Sequence, residues 1–211
     1  MRIERLVVMV SGSGTNFQSI LDACRDGRIP AKVVGVIASK PGIYALERAR
    51  KAGVPSVVIS VADYASQKDH DAAIIGSIER FYGQAIILAG YMSILGSEVV
   101  NKFTIVNVHP ALIPSFCGKG YFGIRVHQAV LDYGAKVSGA TVHFVDEGTD
   151  TGPIIMQKSV CVFADDTAET LAARVLKVEH EILVESVKLL CEGRLELCGR
   201  RVRILDEPQQ L

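Results

Sequence analysis

Through the first half of the chain, short continuous apolar runs alternate with segments whose apolar residues recur at helical spacing. The runs at 6–10, 33–38, 56–60 and 85–88 predict strands, and the segments at 16–24, 43–51, 69–82 and 97–103 predict intervening helices. Strands that read as unbroken apolar runs are buried on both faces, as in a parallel sheet covered by helices. After a fifth run at 104–108 the rhythm changes. A glycine-rich loop at 117–123 leads to a short helix near 126–133. Two longer strands follow at 137–145 and 153–162, and their direct succession predicts an antiparallel pair.

A long helix is expected over 167–192, with Thr167 as its cap and Thr170 where a glutamate would complete the capping box. Leu171, Val175, Val178, Ile182 and Val187 form its approximate apolar stripe, and Gly193 ends it. The segments 194–197 and 201–205 around Gly199 predict a small hairpin, and 208–211 a polar, frayed tail. The expected class is α/β: Rossmann-like, with a mostly parallel central sheet, helices on both faces and an antiparallel C-terminal portion. No repeat or low-complexity linker interrupts it, so residues 1–205 are expected to form one domain, with halves at about 1–103 and 104–205 and a tail at 206–211.

Composition narrows this only modestly. A chain of 211 residues with 49% hydrophobic and 22% charged positions suits one globular domain. Lys+Arg and Asp+Glu balance at 23 each, so no global field draws nucleic acid or an anionic membrane, and any anionic ligand must be held locally. The five cysteines form no Cys-x-x-Cys pair and are odd in number, which argues against a disulfide framework or a zinc ribbon and for a cytoplasmic protein with reduced thiols. The first apolar run is too short for a signal peptide or a bilayer span.

Chemistry concentrates where the fifth strand ends, in Thr-Ile-Val-Asn-Val-His-Pro-Ala-Leu-Ile-Pro-Ser-Phe-Cys-Gly at 104–118. Asn107 and His109 lie two residues apart and share one face with Ile105, while Val106 and Val108 face the other way. The prolines after His109 and Ile113 bias both residues toward extended backbone. In a parallel sheet this pair stands at the carboxyl end of a strand, where open α/β folds place their ligands; otherwise Asn107 caps a turn and His109 packs in a loop. Ser11-Gly12-Ser13-Gly14-Thr15-Asn16, between the first strand and first helix, suits an anion held by backbone N–H groups. Phe17 stands where a dinucleotide fingerprint needs its third glycine and no Gly-Lys-Ser/Thr follows, so one phosphate monoester fits better than a pyrophosphate; a plain tight turn capped by Thr15 or Asn16 is the alternative. Asp150, in an acidic loop with Asp146 and Glu147, is a candidate partner for His109, the alternative being that all three carboxylates solvate a hairpin tip. His70, His127 and His143 read as packed or supporting histidines.

Taken together, Ser-Gly-Ser-Gly-Thr-Asn at 11–16, Leu-Ala-Gly-Tyr-Met-Ser-Ile-Leu at 88–95, Asn-Val-His-Pro-Ala-Leu-Ile-Pro-Ser-Phe at 107–116, Gly-Ala-Thr-Val-His-Phe-Val at 139–145 and Asp-Thr-Gly-Pro-Ile-Ile at 150–155 closely resemble the phosphoribosylglycinamide formyltransferase family. The resemblance runs in order over nearly the whole chain. It implies transfer of a formyl group from 10-formyltetrahydrofolate, as co-substrate and without a metal, to the amine of phosphoribosylglycinamide in purine (IMP) synthesis. Asn107, His109 and Asp150 are then the catalytic trio. Gly12, Ser13, Gly14, Thr15 and Asn16 hold the substrate phosphate and Glu179 the ribose hydroxyls. Met92, Ser93, Ile94, Leu95, Val142, Asp146 and Glu147 line the folate pocket. A cationic His109 would stabilise the formyl oxygen together with Asn107. Leu176 stands where relatives often carry a polar side chain, and Ser93 where they often carry arginine. The loop 117–123 is either a flap or a surface insertion. The partners implied are these small molecules, with no nucleic acid and no membrane, in a monomer or homodimer. The rival readings are a formyltetrahydrofolate deformylase, which usually carries an additional N-terminal regulatory domain, and a non-catalytic nucleotide- or folate-binding module.

Overall fold

The computed structural model describes residues 2–206. The expected frayed tail at 208–211 lies outside them. In chain order the elements are β1 (Arg5–Val10), α1 (Thr15–Arg25), β2 (Lys32–Ala38), α2 (Tyr44–Lys51), β3 (Ser56–Val58), α3 (Gln67–Arg80), β4 (Ala85–Leu88), α4 (Ser97–Lys102) and β5 (Thr104–His109). There follow α5 (Ile124–Tyr133), β6 (Val137–Phe144), β7 (Ile154–Cys161), α6 (Ala168–Cys191), β8 (Leu195–Cys198) and β9 (Arg201–Ile204). They form a nine-stranded sheet in the order β3-β2-β1-β4-β5-β6-β7-β9-β8. The first five strands are mutually parallel, while β6 runs antiparallel to β5 and β7 antiparallel to β6. The α/β class with its antiparallel C-terminal portion is therefore as the pattern predicts. From β1 the chain winds outward to β3 and then returns to β4 on the other side. This reversal of strand order opens a crevice beyond the carboxyl ends of β1 and β4.

Alternation along the strands divides the core between two faces. Leu6, Val8 and Val10 pack with Phe17 and Ile20 of α1, Ala45 of α2, Val130 of α5 and the apolar stripe of α6. Val7 and Met9 pack on the opposite face with Ile74 and Ile78 of α3 and Val99 of α4. Burial on both faces explains why the sequence shows continuous apolar runs.

The structure differs from the sequence reading in a few elements. Helix α3 begins two residues before the expected 69, because the Ser66 hydroxyl accepts the Asp69 N–H at 3.2 Å and caps the first turn. Thr170 does complete the α6 box: its hydroxyl accepts the Thr167 N–H at 3.0 Å while the Thr167 hydroxyl accepts the Thr170 N–H at 3.3 Å. The C-terminal hairpin joins the main sheet through a parallel contact of Ile154 with Arg201.

Candidate active site

Strand β5 carries Asn107 and His109 to the carboxyl end of the sheet, and the β5–β6 register places Asn107 opposite His143 and His109 opposite Thr141. Ile105 packs in the core beneath α3, whereas Val106 and Val108 pack on the other face, as period two requires. Asp150, 41 residues beyond His109 in sequence (150 − 109), returns on the β6–β7 loop. Its Oδ2 lies 3.4 Å from His109 Nδ1 and accepts the Gly118 N–H at 2.9 Å, and its Oδ1 lies 3.7 Å from His143 Nε2. The solvated hairpin-tip reading therefore does not hold for Asp150. For Asp146 and Glu147 it does hold: both stand at the tip, Glu147 exposed and Asp146 partly so, where Asp146 accepts from the Thr151 hydroxyl at 2.5 Å and the Gly148 N–H at 3.1 Å, and Glu147 accepts from Asn101 Nδ2 at 2.9 Å.

The surroundings hold strained backbone in this arrangement. Phe116 and Asp150, which both face His109, adopt φ values of +50° and +58°. Left-handed backbone at a non-glycine residue costs on the order of 1–3 kcal/mol and persists only where the surroundings enforce it. Here the Gly118 bond pulls on Asp150, and two residues later Gly152 passes so close to the Phe144 carbonyl that a Cβ would sit 1.7 Å from its oxygen. No other residue fits there.

Hydrogen bonds to carbonyls fix both tautomers, because a carbonyl can only accept. His109 Nε2 lies 2.9 Å from the Phe116 carbonyl oxygen and so carries the proton, leaving Nδ1 toward Asp150. His143 Nδ1 donates to the Phe144 carbonyl at 2.8 Å, so its Nε2 accepts from Asn107 Nδ2 at 3.1 Å. This orients the Asn107 amide and leaves its second N–H for a ligand. Burial lowers the His109 pKa below the ordinary imidazole value, outweighing the raising effect of the Asp150 charge. Burial and the Asp150 charge thus act on the His109 ring in opposite directions. Asp150, despite the opposing effect of its own burial, is held below the usual carboxylate range by His143, His109 and the Gly118 N–H, and is ionised.

At the N-terminus of α1, Gly14 takes φ +75° and no side chain caps the helix. A Cβ on Gly14 would lie 2.8 Å from Ala45 Cβ, so α2 packs directly against the loop. Thr15 and Asn16 are therefore not the caps that the plain-turn alternative proposed. Asn16 instead donates Nδ2 to Glu179 Oε2 at 2.7 Å across 163 residues of sequence, both side chains being buried. Asn16 Oδ1 is buried with no hydrogen-bond partner, and burial raises the Glu179 pKa. A buried acceptor without a donor, beside a buried carboxylate, suits a ligand that brings hydroxyls.

A continuous cleft of about 740 Å³ joins these groups. Asn16 and Glu179 line it beside α6; Asn107, His109 and Asp150 line it at the end of β5; Met92, Ser93, Ile94, Leu95, Asp146 and Glu147 line it beyond them. Gly12, Ser13, Gly14 and Thr15 stand at the α1 end but are not part of the cleft wall. Val142 is a correction: it is fully buried opposite Val108, in the core cluster packed under α6, because in β6 it faces away from His143. The loop 117–123 is no mere surface insertion, since Gly118 through Gly123 wall the cleft. Sequence reasoning missed Tyr91, Ala172 and Ala173 as wall residues, flagged Leu176 only as a departure from relatives, and took His127 for a packed histidine. His127 is buried but lines the cleft, and its Nδ1 has no partner. His143, read as packed or supporting, touches both Asn107 and Asp150.

Phosphate-compatible loop, strand-end amide and imidazole, and returning carboxylate define a one-carbon group-transfer fold, and residues 4–187 match the formyl transferase family; the chain belongs to that family. Among its relatives, a phosphoribosylglycinamide formyltransferase of Haemophilus influenzae is 37% identical over 92% of this chain and 91% of its own length. A chloroplastic phosphoribosylglycinamide formyltransferase of Vigna unguiculata is 41% identical over 92% of this chain, which spans 63% of that relative. Among solved structures, a glycinamide ribonucleotide transformylase 1 from Symbiobacterium toebii superposes with a TM-score of 0.91 at 45% identity, covering 97% of this chain and 95% of that one.

Proposed function

We propose that this protein transfers the formyl group of 10-formyltetrahydrofolate to the amine of phosphoribosylglycinamide, a step in de novo purine synthesis. The observation that carries the reading is the convergence of Asn107, His109 and Asp150 midway along one cleft, between a polar end and a largely apolar one. The polar end fits a phosphoribosyl group: Gly12 through Asn16 offer backbone N–H groups and a helix dipole to the phosphate, and Glu179 with Asn16 Oδ1 accepts from the ribose hydroxyls. The apolar wall at Met92 to Leu95, with the backbone of 146–150, fits a pterin ring. Each end draws on both halves of the chain, because Glu179 reaches the first and the 91–95 strip the second.

The folate supplies an activated formyl group. Attack by the amine puts negative charge on the formyl oxygen and positive charge on the nitrogen. The free N–H of Asn107, aimed by His143, donates to that oxygen, and such a donor favours the transition state over the ground state. The His109 Nδ1 lone pair, facing the Asp150 carboxylate, takes the amine proton. The resulting imidazolium pairs with Asp150 and returns the proton to the departing folate nitrogen. A depressed resting pKa suits a group that must accept first. The five free thiols support a cytoplasmic setting, and no helix among the described residues is long and apolar enough to cross a membrane.

The test follows tetrahydrofolate release from 10-formyltetrahydrofolate with and without phosphoribosylglycinamide, identifying the product by mass. Release only with the amine, which gains one formyl group, is the expected result. Release of formate without it makes the protein a deformylase. Binding of both ligands without release makes it a binding module.

A further inference from the structure

Asp71 is a second buried carboxylate, on α3 and outside the trio. It is only 2% exposed and lies beneath the cleft wall. A carboxylate in such a place is costly unless it satisfies donors that would otherwise go unpaired. Asp71 Oδ1 accepts the Gly96 N–H at 3.1 Å and Gln67 Nε2 at 2.7 Å, and Gln67 Nε2 also reaches the Ile94 carbonyl at 3.3 Å. The contact is tight, since a Cβ on Gly96 would lie 1.9 Å from Asp71 Oδ2. What it grips is the segment between β4 and α4, which is neither helix nor strand, yet whose residues from Tyr91 to Leu95 all line the cleft. The other end of that strip is tied by the Met92 N–H to the Ser11 hydroxyl at 2.8 Å. Irregular backbone holds a binding geometry only as well as its anchors do.

We propose that Asp71, acting with Gln67, is a positioning residue that fixes the 91–95 wall and thereby sets affinity for the formyl donor while touching neither substrate. The inference rests on the assignment of that wall to the folate. Its test measures KM for each substrate and kcat in Asp71→Ala, Asp71→Asn and Gln67→Met, together with direct binding of tetrahydrofolate and of phosphoribosylglycinamide by calorimetry. Asp71→Ala should raise the donor KM about tenfold or more, the effect of losing its hydrogen bonds to Gly96 and Gln67, and leave the amine KM and kcat near wild type. Asp71→Asn, which keeps an acceptor for Gly96, should recover most of the loss. Gln67→Met should show a smaller rise of the same kind, and it carries the test if Asp71→Ala does not fold. Equal rises in both KM values, an unchanged donor KM, or no recovery in Asp71→Asn would overturn the proposal. A wild-type protein that binds tetrahydrofolate but transfers no formyl group would overturn the functional reading instead, and the calorimetry would still decide the role of Asp71.

Discussion

At the α1/α6 end of the cleft the polar contact joins two regular helices, Asn16 to Glu179, and Asn16 Oδ1 remains a buried acceptor without a partner. At the α3/α4 end the wall is an irregular strip held from behind by Asp71, Gln67 and Ser11, and Met92 and Ile94 are largely exposed. The first end can demand a fixed set of donors, because helices lose little when a ligand binds and an unpaired buried acceptor penalises the wrong guest. The second offers apolar area with few directional demands, so its affinity depends on how firmly the strip is held. The proposed reacting groups lie between, Asn107 and His109 on β5 beside the fully buried β4 and Asp150 on the β6–β7 loop.

The sharpest way to break this comparison is at the centre, where a substitution should affect turnover and neither end's affinity. Asn107→Ala should lower kcat by about 10²–10³ with little change in either KM, the usual effect of removing one oxyanion donor. Asp150→Asn should lose about as much, on the order of 10², through the proton relay. Asparagine tolerates the left-handed backbone at this position, so the variant tests the charge without disturbing the loop. Wild-type-like turnover in either would remove that residue from the trio. At the polar end, Glu179→Gln should raise KM for phosphoribosylglycinamide about 10- to 100-fold, the range for hydrogen bonds to a charged group. The donor KM should stay unchanged. A rise in the donor KM instead would show that the two ends are assigned the wrong way round.

How much of this was legible in the sequence follows from how local each signal is. Burial on both faces leaves continuous apolar runs, so the order of strands and helices is visible along the chain, and so is the same-face relation of Asn107 to His109. Val142 was misplaced although its strand was recognised, because its pairing with Val108, next to the pair of Asn107 with His143, turns it to the α6 face of the sheet, and that register is not visible along the chain. The electrostatics of His109 were half visible for a different reason: a neighbouring aspartate can be guessed from sequence, but the burial that opposes it cannot. His127 gave no sign of lining a cleft, since a side chain on a mostly apolar helix face looks the same whether it meets the core or a ligand, and Leu176 was marked only by its departure from its relatives. Asp71 was hidden likewise, as one carboxylate in a polar helix start.

His143 offers a smaller and more pointed test. It contributes no group to the proposed chemistry, yet its Nε2 decides which way the Asn107 amide points. His143→Leu leaves Asn107 free to turn its oxygen toward the substrate, so kcat should fall about tenfold, comparable to one net hydrogen bond, with both KM values unchanged. If kcat falls as far as in Asn107→Ala, His143 does more than orient.

The smallest effect expected is on stability. Burial, with a smaller contribution from His109, lowers the His127 pKa from 6.5 to about 4, and His109 is shifted in the same direction. Below pH 6.5 the unfolded chain therefore binds protons that these rings refuse in the folded state. Stability from this source is fully present above pH 6.5 and is lost as the pH falls toward about 4, where folded His127 titrates. Melting temperature measured from pH 7 down to pH 5 should decline less steeply in His127→Leu than in wild type, because the variant has one fewer imidazole to charge on unfolding. Parallel declines would mean that His127 is solvated in the folded protein, and the cleft wall beside His109 would then be wetter and more open than its burial indicates.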